Sequence, residues 1–318
     1  MYKLGIDLGG TNIVAGVVDE NYKIVATAKR KTNTPRPADE ILDDMAAVAL
    51  EAVKNAGLKA EDIEAAGVGS PGAIDPVNGI VCFSNNLEFY NVPMAQMLKD
   101  RTGFDFYLEN DANAAAYGEF VAGAGKGTNN FMMITLGTGV GGGIIIDKKL
   151  YSGSNYAGAE LGHVVISMDG EMCSCGRQGC WEAYASATAL IRQTKQAMIK
   201  YPDSIMWKLC NDNINNVNGL TAFDAMRQGD KAGKAVVDRY INYIAVGIAN
   251  NINIFQPDVI CIGGGVSKEG DNLILPITEF VNGDNFARNI EKKALIKTAD
   301  LGNDAGIIGA AYLCNLYK

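Results

Sequence analysis

Apolar positions change period several times along the chain, and each change marks an element. Residues 2–30 alternate through Leu4-Gly5-Ile6, Ile13 to Val18 and Lys23 to Ala26, with breaks at Gly9-Gly10 and Asp19-Glu20-Asn21, which predicts three antiparallel strands. Ile41, Met45, Val48, Ala49, Ala52 and Val53 then share one stripe at helical spacing, predicting a helix from Ala38 to about Asn55 that Gly57 closes. A buried strand Glu64–Val68, a Gly69-Ser70-Pro71-Gly72 turn, a strand near Ile80–Phe83, a helix Pro93–Arg101, a strand Asp105–Leu108 and a helix Ala112–Ala122 follow. The pattern then restarts. At a constant offset of 128, Ile6, Leu8, Gly9 and Asp19 meet identical residues, and both copies read strand, glycine turn, strand. Beyond a cysteine-rich loop come helices at about Trp181–Lys200, Ala222–Gly229 and Lys231–Ile254, a loop over Asn211–Asn218, a strand Val259–Ile262 and a final helix Ala305–Tyr317. Strands alternating with helices predict an α/β fold of two halves that face one cleft, without a linker that separates free domains.

Composition narrows the functional classes. A chain of 318 residues suits two domains, and 48% hydrophobic against 20% charged residues supplies sizeable cores. A net charge of −8 disfavours partners with phosphate backbones and anionic lipid surfaces. No apolar run reaches the roughly 20 residues of a membrane span, and the first residues read as a strand, so the cytoplasm is the expected compartment. Seven cysteines, three of them within residues 173–180, then point to metal rather than disulfides.

Glycines at a strand-to-strand turn let backbone amides approach an anion, and Asp7 beside the first turn is placed to hold a magnesium bound to that anion. One such turn is equally well a tight hairpin; two copies favour phosphate binding, and Gly263-Gly264-Gly265 after an apolar strand offers a surface for a nucleotide base. None of the three matches the Walker or dinucleotide patterns. Asp111, at a strand-to-helix junction beside Asn110, is either a helix cap or a carboxylate held ionised by the helix N-terminus to accept a proton; on the residues alone the cap is favoured. His163 is the only histidine, and with Cys173, Cys175 and Cys180 it makes a complete tetrahedral zinc set, with Gly170, Gly176 and Gly179 allowing the tight reversals between them.

Asp7-Leu8-Gly9-Gly10-Thr11-Asn12, Glu109-Asn110-Asp111-Ala112-Asn113, Leu136-Gly137-Thr138-Gly139-Val140-Gly141, Glu160-Leu161-Gly162-His163 and the stretch from Cys173 through Cys180 to Glu182 resemble the motif series of the ROK (repressor, open reading frame, kinase) sugar kinases, from residue 3 to about 311. The resemblance implies an actin-like ATPase (ribonuclease H-like) fold, with a small lobe over 1–117 to which the helix at about 303–318 returns, and a large lobe over 118–302. It implies ATP-dependent phosphorylation of the 6-hydroxyl of glucose, with Asp111 as the base. Sugar contacts would come from Gly72, Asn86, Asn110, Asp111, Glu160, His163 and Glu182. Nucleotide contacts would come from Asp7, Gly9, Gly10, Thr11, Asn12, Gly137, Thr138, Gly139, Gly264 and Gly265. ATP and magnesium are the implied cofactors, with zinc as a structural ion. A homodimer or homotetramer is expected, for which the apolar helix around Ile241–Ile254 offers packing surface.

Three rivals are weaker. A transcriptional regulator of the same family would carry a DNA-binding domain ahead of this core, for which the chain leaves no room. An actin-like or chaperone-like ATPase needs neither the metal knuckle nor the acceptor motif. A kinase for N-acylmannosamine, N-acetylglucosamine or mannose is the nearest alternative.

Overall fold

The computed structural model describes residues 1–317. Strands β1 (Tyr2–Leu8), β2 (Asn12–Val18) and β3 (Ile24–Lys31) precede helix α1 (Ala38–Asn55), after which come β4 (Ile63–Ser70), β5 (Ala73–Asp75), β6 (Ile80–Ser84), β7 (Phe89–Val92), α2 (Met94–Thr102), β8 (Phe106–Asn110) and α3 (Asp111–Ala122). The chain continues through β9 (Phe131–Leu136), β10 (Val140–Ile146), β11 (Lys149–Tyr151), α4 (Glu182–Ala185), α5 (Ala187–Lys200), α6 (Met206–Leu209), α7 (Thr221–Arg227) and α8 (Lys231–Phe255). It closes with β12 (Val259–Gly263), α9 (Asp271–Gly283), β13 (Leu295–Thr298), α10 (Ala305–Tyr312) and α11 (Cys314–Tyr317).

One five-stranded sheet has the order β3-β2-β1-β4-β8, with β1 antiparallel to β2 and parallel to β4, and β4 parallel to β8. A second has the order β11-β10-β9-β12-β13, with β10 and β11 antiparallel and β12 and β13 parallel. The two orders are the same when each sheet is counted from its own first strand, so the repeat at offset 128 is a duplication of sheet topology. This is the actin-like arrangement. A smaller sheet, β5-β6-β7, follows the first glycine-lined turn after β4.

The described chain divides into two compact units. The first holds Met1–Met133, Gly142–Ala159 and the stretch from Ala299 onward; the second holds Ile134–Gly141 and Glu160–Thr298. The uninterrupted first run therefore reaches Met133 instead of ending at 117. The reason is local: α3 runs through that position with Gly118 pressed on α10, where a Cβ would lie 2.1 Å from the Ala305 carbonyl oxygen.

Within the first unit the register brings Gly16, Gly5 and Gly67 side by side across three adjacent strands. The furrow they leave admits the backbone of α10, since a Cβ on Gly5 or Gly67 would stand 2.0 Å from the carbonyl oxygen of Ile307 or Ala310. Helix α1 keeps its expected bounds and buries Ile41, Met45, Val48, Ala49, Ala52 and Val53 on one face. In the second unit Trp181 is fully buried, donates its indole N–H to the Tyr243 carbonyl at 2.8 Å and lies against Gly247 of α8.

Several expectations need correction. Gly69 and Ser70 belong to β4, because Gly69 pairs with Glu109 and Ser70 with Asn110 of β8; the turn starts at Pro71. The helix expected over 181–200 breaks at Ser186, whose extended backbone (ψ 161) lets its hydroxyl accept the Ala189 N–H and cap α5. The last helix divides into α10 and α11. Helix α8 buries Ile241, Ile244, Ile248 and Ile252 inside its own unit, so its apolar stripe is core and does not form a free packing surface. Helix α9 carries Pro276 in its interior, which masks it as an element in the sequence. No helix among the described residues is long and apolar enough to cross a membrane.

Candidate active site

In the first unit, β1 delivers Asp7 to the edge of the first glycine turn and β8 delivers Asn110 and Asp111 to the N-terminus of α3. Asn110, not Asp111, caps the helix: its side-chain oxygen accepts the N–H of Ala112 at 2.9 Å and of Asn113 at 3.2 Å. Its amide nitrogen donates to the Gly72 carbonyl at 3.1 Å. Gly72 has φ +115, and a Cβ there would strike the Phe83 carbonyl oxygen at 2.1 Å, so the position requires glycine. Gly72 and Asn110 are thus hydrogen-bonded to each other, and Asn110 and Asp111 share the Ala112 N–H, while Asn86, exposed in the turn between β6 and β7, takes no part in these bonds.

With the cap supplied by its neighbour, Asp111 is not needed to cap α3. Burial raises its pKa above the ordinary carboxylate value, and the Ala112 N–H, donating to Oδ1 at 2.9 Å, only partly opposes this. The helix N-terminus favours the ionised form of Asp111 through that amide, while desolvation acts the other way and is the larger effect. Asp7 is raised to about 6, first by burial and then by the charge of Asp111. The two carboxylates are coupled.

Glu109 was not anticipated. It is 2% exposed and accepts the Asn110 N–H at 2.8 Å, the Asn113 amide at 3.0 Å and the Tyr317 hydroxyl. The available signal was a carboxylate at the buried end of strand β8, where an unpaired charge would be costly.

In the second unit the turn Gly137-Thr138-Gly139 rests on the start of α5, with the Ala187 N–H donating to the Gly137 carbonyl and the Thr188 hydroxyl to the Thr138 carbonyl, both at 2.8 Å. Glu182 ties the same turn to the cysteine loop. Its Oε2 accepts the Val140 N–H at 3.0 Å, and its Oε1 lies 3.1 Å from the Ser174 hydroxyl and 3.6 Å from Cys173 Sγ. Gly264, at φ +87, packs on the Leu136 backbone.

His163, Cys173, Cys175 and Cys180 place their ligand atoms within 4.8 Å of one another. Cys173 Sγ is 3.7 Å from His163 Nδ1, and Cys175 Sγ is 3.7 Å from Cys180 Sγ. A tetrahedral zinc with Zn–S bonds of about 2.3 Å separates two sulfurs by about 3.8 Å, so the donor set fits that ion in both type and spacing. The loop is held for this by Gly176 (φ +84) and Gly179 (φ +78) and by the Cys173 N–H donating to the Arg177 carbonyl at 2.8 Å. Glu160, exposed, immediately precedes the short 3-10 turn that carries His163.

Comparison with known proteins decides the family. The model of the ROK family matches residues 3–316. The chain belongs to the ROK family. It is 40% identical to a glucokinase of Thermotoga maritima over 97% of this chain and 95% of that enzyme. A crystal structure of a ROK glucokinase from Streptomyces griseus in complex with glucose and AMPPNP matches at TM-score 0.80 and 37% identity, covering 98% of this chain and 99% of that one. The xylose repressor of Bacillus subtilis is 32% identical over 83% of this chain but only 64% of the repressor.

Within this ROK chain, the structure brings the expected residues together in two sets, Asp7 with Gly72, Asn110 and Asp111 in one unit, and the second glycine turn with Glu182 and the cysteine–histidine cluster in the other.

Proposed function

We propose that this chain is an ATP-dependent hexose kinase that transfers the γ-phosphoryl group to the 6-hydroxyl of glucose. The observation that carries the chemistry is the division of labour at the β8–α3 junction: Asn110 caps the helix, so Asp111 is a partly buried carboxylate of raised pKa at the end of a strand. The near full-length similarity to glucokinases, one of them holding glucose and an ATP analogue, supports the substrate pair.

Phosphoryl transfer has a loose transition state, so the protein chiefly positions the two oxygens. Asp111 accepts the proton of the attacking hydroxyl, and its raised pKa brings it closer to the working pH and so makes it a better acceptor. Asn110 holds the sugar through its second amide hydrogen, its first being fixed on Gly72. Asn86, Glu160, His163 and Glu182 are assigned further sugar hydroxyls; each oxygen of Glu182 retains acceptor capacity beyond its present bond. The amides around Gly9, Gly10, Thr11 and Asn12 and around Gly137, Thr138 and Gly139 bind the donor phosphates, and Gly264 and Gly265 face the base.

Magnesium, when bound, neutralises the phosphates. Asp7 is the residue to hold it, and the mutual repulsion of Asp7 and Asp111 is what a divalent cation would relieve. Zinc is structural: His163, Cys173, Cys175 and Cys180 would hold it, and His163, with one nitrogen engaged, orients rather than shuttles protons. We place the enzyme in the cytoplasm as at least a homodimer, the association supported by exposed Ile254, Leu275, Phe286 and Leu295 in the second unit.

A coupled assay with ATP and a panel of hexoses tests the reading. Glucose 6-phosphate should form fastest. Absence of turnover with glucose, or a clear preference for an N-acylated hexosamine or mannose, would overturn it.

A further inference from the structure

The two glycine turns share a feature that phosphate binding by itself does not require. In each, the carbonyls are taken by another segment of the same unit. In the first turn Thr32, 0% exposed, donates its hydroxyl to the Gly9 carbonyl at 2.6 Å and its backbone N–H to the Thr11 carbonyl at 3.0 Å, while the Thr34 hydroxyl donates to the Gly10 carbonyl at 3.3 Å. In the second, Ala187 and Thr188 take the carbonyls of Gly137 and Thr138 at 2.8 Å.

A trans peptide unit is planar, with the N–H of one residue antiparallel to the C=O of the residue before it. Fixing the carbonyls of Gly9, Gly10 and Thr11 on the Thr32–Thr34 segment therefore turns the N–H groups of Gly10, Thr11 and Asn12 to the opposite side, where all three residues are exposed. Fixing the carbonyls of Gly137 and Thr138 on α5 does the same for the N–H groups of Thr138 and Gly139. Successive amides aimed to one side make an anion-binding concavity. Glycine peptides rotate with little steric cost, so without a partner for the carbonyls these planes would flip freely. The two supports are not copies of each other: position 32 plus the offset of 128 is Glu160, and Thr188 comes from a helix with no counterpart in the first half.

We propose that Thr32 and Thr188 are positioning residues for the phosphoryl donor, their hydroxyls fixing the peptide planes of the two turns so that the amides already face the phosphates before the donor binds. This rests on the reading of both turns as the donor site. Preorganised donors of this kind are effective because they need no rearrangement when charge arrives.

The test uses the full chain with Thr32→Val and Thr188→Val, and with Thr32→Ser and Thr188→Ser as variants that keep the hydroxyl. Each valine variant should raise KM for ATP, and Kd for a non-hydrolysable ATP analogue, about fivefold, the loss expected for one net hydrogen bond. KM for glucose should stay within about twofold, and serine should restore ATP affinity, consistent with the retained hydroxyl bond. Valine variants with unchanged ATP affinity, equal shifts for both substrates, or no rescue by serine would overturn the proposal. Should the buried Thr32→Val variant fail to fold, the exposed Thr188 pair decides alone. Gly10→Ala and Gly137→Ala separate the two levels, because a Cβ at either position meets no protein atom within 4 Å. If these leave ATP affinity unchanged, the donor-site reading itself fails; if they weaken it while the valine variants do not, only the positioning role fails.

Discussion

Asp7 and Asp111 set the titration behaviour at the scale of single residues. Asp111→Asn keeps the shape but removes the proton acceptor, and kcat should fall about 10³-fold while glucose affinity stays within about tenfold. Turnover within tenfold of the parent would refute its role as base. Because burial raises the pKa of Asp111, kcat/KM should decline on acidification through a value above the ordinary 3.8. Asp7 carries a stability consequence of definite sign. Its pKa is about 6 in the folded protein against 3.8 for the unperturbed group, so the folded state binds the proton more tightly and stability is lost as pH rises from 3.8 through about 6. Asp7→Asn should therefore stabilise the magnesium-free protein at pH 7 by roughly 3 kcal/mol, an advantage that largely disappears near pH 4. Thermal melting at the two pH values measures it, and a variant less stable than the parent at pH 7 would contradict the assignment. Much at this scale was legible from sequence: Asp7, Asn110 and Asp111 stand at strand ends beside glycines or a helix start. The cap was not, because adjacent Asn and Asp are equally good capping residues and only the backbone angles at residue 110 choose between them.

Among elements, α10 and the metal knuckle are the most sensitive. Helix α10 lies so close to β1, β4 and α3 that a Cβ on Gly309 would stand 1.7 Å from the Ala114 carbonyl oxygen. Gly309→Ala should cost roughly 3 kcal/mol or abolish folding, read as a drop in urea midpoint, and a neutral result would show that the helices have room to part. The knuckle should hold one zinc per chain. Cys175→Ser should lose that zinc and glucose affinity together, since Glu182 joins the loop to the second turn; elemental analysis finding no zinc in protein purified without chelator would rule the site out. The ligand set was plain in the spacing of one histidine and three cysteines. The link through Glu182 was not, for it joins residues 42 positions apart.

For the whole molecule, the exposed apolar residues of the second unit are expected to be covered by a second copy of the chain. Light scattering at micromolar concentration should give a multiple of 33.8 kDa, and a monomer mass would show that these side chains stay in water. The sequence by itself determined the α/β class, the duplicated strand–turn–strand hairpins, the bounds of α1 and which residues make up the cysteine–histidine cluster, because hydrophobic period, glycine position and ligand type are local properties of the chain. Only the tertiary structure decided what depends on residues far apart in sequence. It set Gly16, Gly5 and Gly67 in one row beneath α10, buried the stripe of α8 that looked like an interface, and made Ser186 divide a continuous helical pattern. It also brought Thr32 and Thr188 to the two turns, since a carbonyl's partner is chosen by proximity after folding and leaves no trace in the spacing of the residues that supply it.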